Sequence, residues 1–249
     1  MAMQIRNLPV ISARYWIAIL VASMCGANTG DFLSHNLNLG HYRGLLPLAV
    51  IFAVIIWTEK RARIATEAYY WLAIIVLRTA ATNLADLGTH DFKLSYGIIE
   101  PALTLLLILT IVIDPARWKS LERTDTVQVL KLPATDIPYW IAMLIAGTLG
   151  TATGDFVADA GLGLFYGSAV LTILFGAILF VSWRFGAMTV PWYWASIVAA
   201  RTAGTDLGDL LASRHGLKLG LPLSTAITGS LLAAIVLLWP RRREAAIVR

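Results

Sequence analysis

Apolar stretches recur along the whole chain and are separated by short polar connections. Most of them approach the roughly 20 residues that an α-helix needs to cross the hydrocarbon core of a membrane. The second stretch is the shortest, so it must tilt little or extend into the preceding loop. The pattern predicts eight membrane-spanning helices, at residues 14–34, 44–58, 69–89, 96–113, 138–158, 164–183, 191–212 and 219–239.

The longest polar interruption divides the predicted helices into two groups of four. We therefore expect a first half at 1–113, a cytoplasmic linker at 114–137 and a second half at 138–249. The first apolar stretch matches the later ones in pattern, which indicates a retained helix and not a signal peptide.

The composition agrees with the prediction of membrane-spanning helices. The chain has 249 residues, of which 58% are hydrophobic and 14% charged, against about 25% charged in soluble domains. Its mean hydropathy is +0.71. These values predict an all-α integral membrane protein whose first partner is the lipid bilayer. The net charge of +5 does not indicate nucleic-acid binding, because the basic residues lie in short loops between apolar stretches.

The loop charges predict the orientation. The termini and the loops after the second, fourth and sixth spans share one side and carry fourteen lysines and arginines, whereas the other side carries four. Basic residues accumulate on the cytoplasmic side of membrane proteins. Both termini are therefore expected in the cytoplasm.

The chain contains a repeat of one helix pair. In each of four copies a Tyr-Trp pair is followed, fifteen residues after the Trp, by an aspartate. Since each copy holds two spans, all copies begin on the same side and are parallel. Fifteen helical residues span about 22 Å, so the aspartates share one depth, and a four-fold arrangement would place them around a central axis. The pairs begin at Tyr15, Tyr70, Tyr139 and Tyr193, and the aspartates are Asp31, Asp86, Asp155 and Asp209.

The four copies alternate in an A-B-A-B order. The first and third share Thr-Gly-Asp-Phe, at 29–32 and 153–156. The second and fourth share Arg-Thr-Ala-x-Thr-x-Leu-x-Asp-Leu, at 78–87 and 201–210. This alternation also permits two-fold symmetry, with the two kinds of aspartate in different roles.

The Tyr-Trp pairs with their fixed aspartate spacing resemble the DUF347-repeat family of bacterial membrane proteins, over about residues 14–239. The resemblance implies four tandem two-helix repeats and a multi-pass protein of the bacterial inner membrane. It implies no particular activity, so a function has to be argued from the residues.

Ionisable groups inside membrane spans are costly and usually serve a function. Carboxylates, amide oxygens and hydroxyls are the hard ligands that divalent cations such as Mg²⁺ and Mn²⁺ prefer, and carboxylates also carry protons. Asp31 and Asp155, in the copies without arginine, are the first candidates for a metal. A bound divalent cation is the one cofactor that the sequence suggests. The candidate ion-binding residues are Asp31, Asp86, Asp155, Asp209, Asp206, Asn28, Asn83, Thr29 and Thr153.

Two arginines inside the predicted spans leave alternatives open. Arg78 and Arg201 precede their aspartates by eight residues. They balance the aspartate charge, or they bind an organic anion through the planar guanidinium. A third interpretation treats arginines and aspartates together as a structural polar network that locks the helices.

Other polar residues carry weaker signals. His35 and His90 follow the repeated aspartate by four residues, where the other copies have Asp159 and Ser213. They form either an outer ligand set or solvated loop ends, and the loop interpretation is preferred. We expect the tryptophans at the membrane interface. We expect His41 and His215 to be loop residues. Glu100 is either a proton carrier or a partner for an arginine.

The sequence shows no phosphate-binding loop and no catalytic triad, so we do not expect an enzyme. The leading hypothesis is a membrane transporter of a cation, with a divalent metal ion as the first choice of substrate and protons as the ions exchanged against it. The alternatives are a carrier of a small organic solute or anion and a non-transporting membrane subunit. The sequence leaves the substrate and the oligomeric state open.

Overall fold

The protein is described from a computed structural model over residues 5–64, 66–114, 118, 130–185 and 189–239. Most of the predicted linker and the basic tail after residue 239 lie outside these residues. The helices are α1 (Ala13–Asp31), α2 (Gly40–Arg43), α3 (Leu45–Arg61), α4 (Ala68–Asp86), α5 (Tyr96–Val112), α6 (Ile137–Val157), α7 (Gly163–Arg184), α8 (Val190–Ala212) and α9 (Gly220–Leu238).

Eight of these helices correspond to the eight predicted spans, and α2 is a single additional turn. Five helical stretches of the described chain are long and apolar enough to cross a membrane, and one of them runs through both α6 and α7. The outer faces of the helices carry large exposed apolar side chains such as Leu105, Ile173 and Phe180. An all-helical membrane protein accounts for both observations, because lipid is the medium that such faces suit.

The first helix of each repeat belongs to an inner ring. α1 packs against α4 and α8, and α6 packs against the same two helices from the opposite side. The second helix of each repeat lies outside the ring, against the first helix of the next repeat. Thus α3 packs on α4, α5 on α6 and α7 on α8, while α9 returns to α1 and closes the circle.

Small residues permit the close approach of the inner helices. A Cβ atom added to Gly26 would clash with the side chain of Arg78, and one added to Gly204 would clash with Ser23. Glycine at such crossings allows two backbones to touch, as expected for helix packing in membranes.

Two elements join the halves at the end of the bundle where the inner helices begin. A short antiparallel ladder pairs β1 (Val10–Ile11) with β2 (Leu130–Lys131). Arg14 forms an ion pair of 2.9 Å with Glu67 and donates to the carbonyl of Val236 on α9. The two predicted halves therefore share one ring and one set of end contacts.

Candidate functional site

The inner ring encloses a cavity of about 500 Å³ at the end where the inner helices finish. Each inner helix contributes its repeated aspartate to the wall, so the four carboxyl groups meet as the common depth predicted. We call this space the central cavity. Its lining residues are Asp31, His35, His41, Asp86, His90, Tyr96, Asp155, Ala158, Asp159, Asp209, Ala212, Ser213 and Leu221.

The backbone changes geometry at or just after three of the aspartates. Asp31 and Asp86 are the last residues of their α-helices, and π-helical turns follow at Phe32–Asn36 and Leu87–Asp91. A third π-helical segment, Ala158–Leu162, follows α6 and kinks at Gly161, where φ is +93°. Such turns are rare and occur often at functional sites, because they redirect side chains. The α-helices themselves are continuous through Gly30, Gly154 and Gly208, which lie next to the aspartates.

The carboxylates carry little direct compensation. Among the described residues, Asp31, Asp155 and Asp209 form no ion pair within 4 Å, and one oxygen of Asp155 is buried without a hydrogen-bond partner. Asp86 lies 3.9 Å from His41 and 3.8 Å from His90. The cavity therefore gathers four carboxyl groups that the protein itself leaves largely unpaired.

Four positions one turn beyond the aspartates form the rim of the central cavity. His35, His90, Asp159 and Ser213 all line it. His35, His90 and Asp159 are also exposed, so this placement agrees with solvated ends of the helices as well as with an outer ligand set. The exposed His215, in contrast, lies where a loop residue is expected.

His41 is a cavity residue that the sequence did not indicate. Its ring nitrogen Nδ1 lies 3.2 Å from both carboxylate oxygens of Asp91, and its ring packs edge-on against His35. The residue reaches the cavity because α2 folds back toward α4 and the first π turn. No periodicity in the sequence signals that short turn.

Arg78 is held inside the inner ring by hydroxyl groups. Its guanidinium donates to Thr82 at 2.8 Å, to Thr151 at 2.7 Å and to Thr205 at 2.5 Å, which belong to three inner helices. The hydroxyl groups of these threonines accept from the arginine and do not line the central cavity. Arg78 is 1% exposed and does not line the central cavity.

Arg201 is equally buried and has fewer partners. It donates to Ser23 at 3.3 Å and lies 3.9 Å from the sulfur of Met143. Within the described residues neither arginine forms an ion pair with an aspartate, and the Nε atoms of both lack a hydrogen-bond partner. Both guanidinium groups are therefore held by uncharged partners.

A ring of tyrosines closes the opposite end of the inner ring. Three hydrogen bonds join the hydroxyl groups, from Tyr139 to Tyr70 at 2.7 Å, from Tyr70 to Tyr15 at 3.2 Å and from Tyr15 to Tyr193 at 2.8 Å. All four side chains are completely buried. We call these four residues the tyrosine ring, and the axis is shut where they meet.

The repeated tryptophans support the tyrosine ring. Each packs against the tyrosine of the preceding repeat, with ring centroids about 6 Å apart, and each is at most 6% exposed. The expectation of an interfacial aromatic belt is therefore wrong for these four side chains, which are packing residues between repeats. They are Trp16, Trp71, Trp140 and Trp194.

Five predicted ligands lie outside the central cavity. Asn28 donates to Ser224 of α9 at 3.0 Å, and Thr29 donates to the carbonyl of Cys25. Asp206 faces Gly154 of α6 and Gly167 of α7. Three residues turn a helix through 300°, so a position three before the aspartate points to the neighbouring helices and not to the axis. The remaining two are Asn83, which faces Gly44, and Thr153, which lines an apolar groove between outer helices.

The described residues contain no group of three His, Cys, Asp or Glu side chains close enough together to hold a metal ion. The predicted pair Asp31 and Asp155 lines the central cavity but does not belong to a preformed metal centre there.

The comparison with known families identifies the repeat. The model of the Repeat of Unknown Function (DUF347) matches residues 14–65, 138–187 and 192–245, which together make up more than half of the chain. The chain belongs to this repeat family. The three matches cover the first, third and fourth repeats, and the second is recognised by its Tyr-Trp pair and aspartate. No curated protein and no solved structure matches the chain.

Proposed function

We propose that this DUF347-repeat protein is a cation transporter and not an enzyme, with the central cavity as its cation-binding site. The proposal is carried by one observation, the convergence of four aspartates from four equivalent helices on a single cavity. A cavity with one sign of charge and low-dielectric walls concentrates ions of the opposite sign. We place the protein in the bacterial inner membrane with eight spans, cytoplasmic termini and a cavity that opens to the outer side.

The charge of the inner ring favours a divalent substrate. The four repeated aspartates and the two buried arginines have a formal charge of −2 when all six are ionised, and the exposed rim residue Asp159 is not included in this sum. One divalent cation neutralises the charge of these six groups, and so do two protons. Carboxylate oxygens with retained water are the environment that Mg²⁺ and Mn²⁺ accept, which makes a partly hydrated divalent cation the proposed substrate.

The closed end of the ring favours a carrier over an open pore. An ion that entered the central cavity would meet Arg78, then Arg201 and then the tyrosine ring along the axis. Transport then requires the inner helices to move so that the cavity opens to the other side while it closes to the first, which is alternating access.

The anion-carrier alternative receives less support. Both arginines are 1% exposed, and the terminal nitrogens of Arg78 already donate to three threonine hydroxyls. A substrate anion would have to displace these partners. The contacts instead favour a structural role for the two arginines, which hold the inner helices together below the carboxyl groups.

The test is divalent cation transport by purified protein in liposomes that contain a metal-sensitive dye. Wild-type protein should admit Mn²⁺ or Mg²⁺, and Asp31→Asn, Asp86→Asn, Asp155→Asn and Asp209→Asn should each reduce flux at least tenfold while the protein stays folded. A matched control is Asp114→Asn, just after α5 and at the opposite end of that helix from the cavity. Flux that is unaffected by all four substitutions would exclude the central cavity as the cation site.

A further inference from the structure

One buried carboxyl group lies outside the central cavity and has no role in the proposed cation site. Asp206 of α8 is 1% exposed, and its Oδ2 atom has no hydrogen-bond partner. No lysine, arginine or histidine of the described chain lies within ion-pair distance of it. An ionised carboxylate in such a place has neither water nor a cation to stabilise it.

Two neighbouring backbones enclose this carboxyl group. A Cβ atom on Gly154 of α6 would lie 2.5 Å from Asp206 Oδ1, and one on Gly167 of α7 would lie 3.1 Å from Oδ2. Ser168 of α7 donates its hydroxyl to the backbone carbonyl of Asp206 at 3.1 Å. The carboxyl group therefore sits in a tight wedge between three helices that exists because both facing positions are glycine.

Charged groups are present on all three helices that form the wedge. α6 contributes Asp155, and α8 contributes Asp209 and the arginine Arg201. α7 contributes Arg184 as its one charged residue, at the far end of the helix, and Tyr166, which is exposed. Burial opposes ionisation of Asp206, and a buried carboxyl group without a cation beside it takes up a proton to become neutral.

The other repeats show that the wedge accepts a neutral side chain. The equivalent position holds Asn28 in the first repeat, Asn83 in the second and Ala152 in the third. Asn28 and Asn83 are completely buried, Asn28 between α8, α9 and α1 and Asn83 of α4 against Gly44, just before α3. A protonated aspartate has nearly the shape of asparagine and likewise has no net charge.

We propose that Asp206 is a proton-binding site, separate from the cation site, which is protonated when α6, α7 and α8 are packed as observed. When these helices separate during transport, water reaches the group, and the carboxylic acid releases its proton and becomes a carboxylate. The proton at Asp206 is then the coupling ion for movement of the divalent cation. Protonation stands on the geometry alone, while the coupling rests on the proposed transport function.

Infrared spectroscopy of the protein in liposomes tests the protonation directly. At neutral pH, Asp206→Asn should remove one carbonyl absorption of a protonated, buried carboxylic acid, and the control Asp114→Asn should leave that absorption unchanged. Asp206→Ala, which copies Ala152, is a second variant with the same expected spectrum. If the absorption is the same in both variants and wild type, or if neither variant folds, the assignment of a neutral group at Asp206 is wrong.

Transport measurements test the coupling separately. In wild-type liposomes an imposed proton gradient should change divalent cation flux at least fivefold, whereas Asp206→Asn should bind the cation normally and show no response to the gradient. A variant that responds like wild type overturns the coupling. If wild type carries no divalent cation at all, the proposed function fails, while the infrared result on Asp206 keeps its meaning.

Discussion

The repeated tyrosine and the repeated aspartate lie sixteen residues apart on the same helix, and the structure gives them opposite tasks. The tyrosines meet and seal the axis with hydrogen bonds between neutral hydroxyl groups. The aspartates line an open cavity about 24 Å further along the helix. One inner helix thus supplies both a seal and a charged site, and four copies complete each of them.

The tyrosine ring should depend on every hydroxyl group. Tyr70→Phe removes a group that bonds to both Tyr15 and Tyr139, so two buried hydroxyls lose a partner. We expect the free energy of unfolding to fall by about 1–3 kcal/mol, the usual cost of an unsatisfied buried polar group. Tyr166→Phe, on the exposed face of α7, is the control and should change little. Thermal unfolding in detergent measures both, and equal stability of the two variants would show that the bonds between tyrosines contribute nothing.

The residues of the site were predictable where they follow the repeat spacing. The same interval places Asp31, Asp86, Asp155 and Asp209 at one depth, and one further turn places His35 and His90 at the rim. The sequence position of Asp206 predicts a cavity residue, and this prediction is wrong. An offset of three residues turns its side chain about 60° away from that of Asp209 around the helix axis. In a ring of four helices this rotation is enough to direct Asp209 to the central axis and Asp206 to the space between neighbouring helices. His41 depends on a single folded-back turn, for which the sequence has no periodic signal.

At the scale of elements, the apolar pattern predicted the helices closely. The predicted span 138–158 corresponds to Ile137–Val157, and 96–113 corresponds to Tyr96–Val112. The span 44–58 is longer in the structure, where α3 continues to Arg61, because its last turn is polar and lies at the end of the bundle. The π turns were not predictable, since they depend on packing at the ends of the inner helices and not on residue pattern.

Helix crossing through glycine makes a prediction at this scale. A methyl group at Gly150 of α6 would meet the side chain of Arg201 and lie 3.0 Å from two backbone atoms of α8. Gly150→Ala should therefore push α6 and α8 apart and cost about 1–3 kcal/mol of stability. Both helices also carry cavity aspartates, so we expect cation binding to weaken as well.

Gly176 is the matched control for this substitution. It lies within α7, and a Cβ atom added there would meet nothing within 4 Å. Gly176→Ala should leave stability unchanged or raise it by up to about 1 kcal/mol, because alanine favours the helix. Thermal unfolding of the two variants side by side separates crowding at the crossing from the general effect of alanine. A Gly150→Ala protein as stable as Gly176→Ala would contradict the close crossing of α6 and α8.

At the scale of the whole molecule, each outer helix packs on the inner helix of the following repeat. The repeat pattern predicted parallel helix pairs, but not this offset, since sequence spacing does not reveal which inner helix an outer helix covers. The offset has a consequence for folding. The outer helix of each repeat is covered mainly by the inner helix of the following repeat, and the outer helix of the fourth repeat is covered by the inner helix of the first. The ring is complete within one chain only after α9 has returned to α1.

The closure of the ring can be tested with the one cysteine of the chain. Cys25 lies in α1, and its sulfur is 3.6 Å from the position of a Cβ atom on Gly229 in α9. In a disulfide the sulfur of one cysteine lies about 3 Å from the Cβ atom of the other, so a cysteine at position 229 needs a shift of only about half an ångström to reach Cys25. Gly229→Cys should therefore form a disulfide within one chain on mild oxidation. The cross-linked protein should migrate faster on a non-reducing gel and unfold at a higher temperature than the reduced protein.

Two control proteins, the same substitution in a Cys25→Ser background and Gly176→Cys, should form no such bond. A cross-link found only between two chains would mean that α9 covers α1 of a second molecule, and a complete lack of reaction would mean that the fourth repeat does not close the ring.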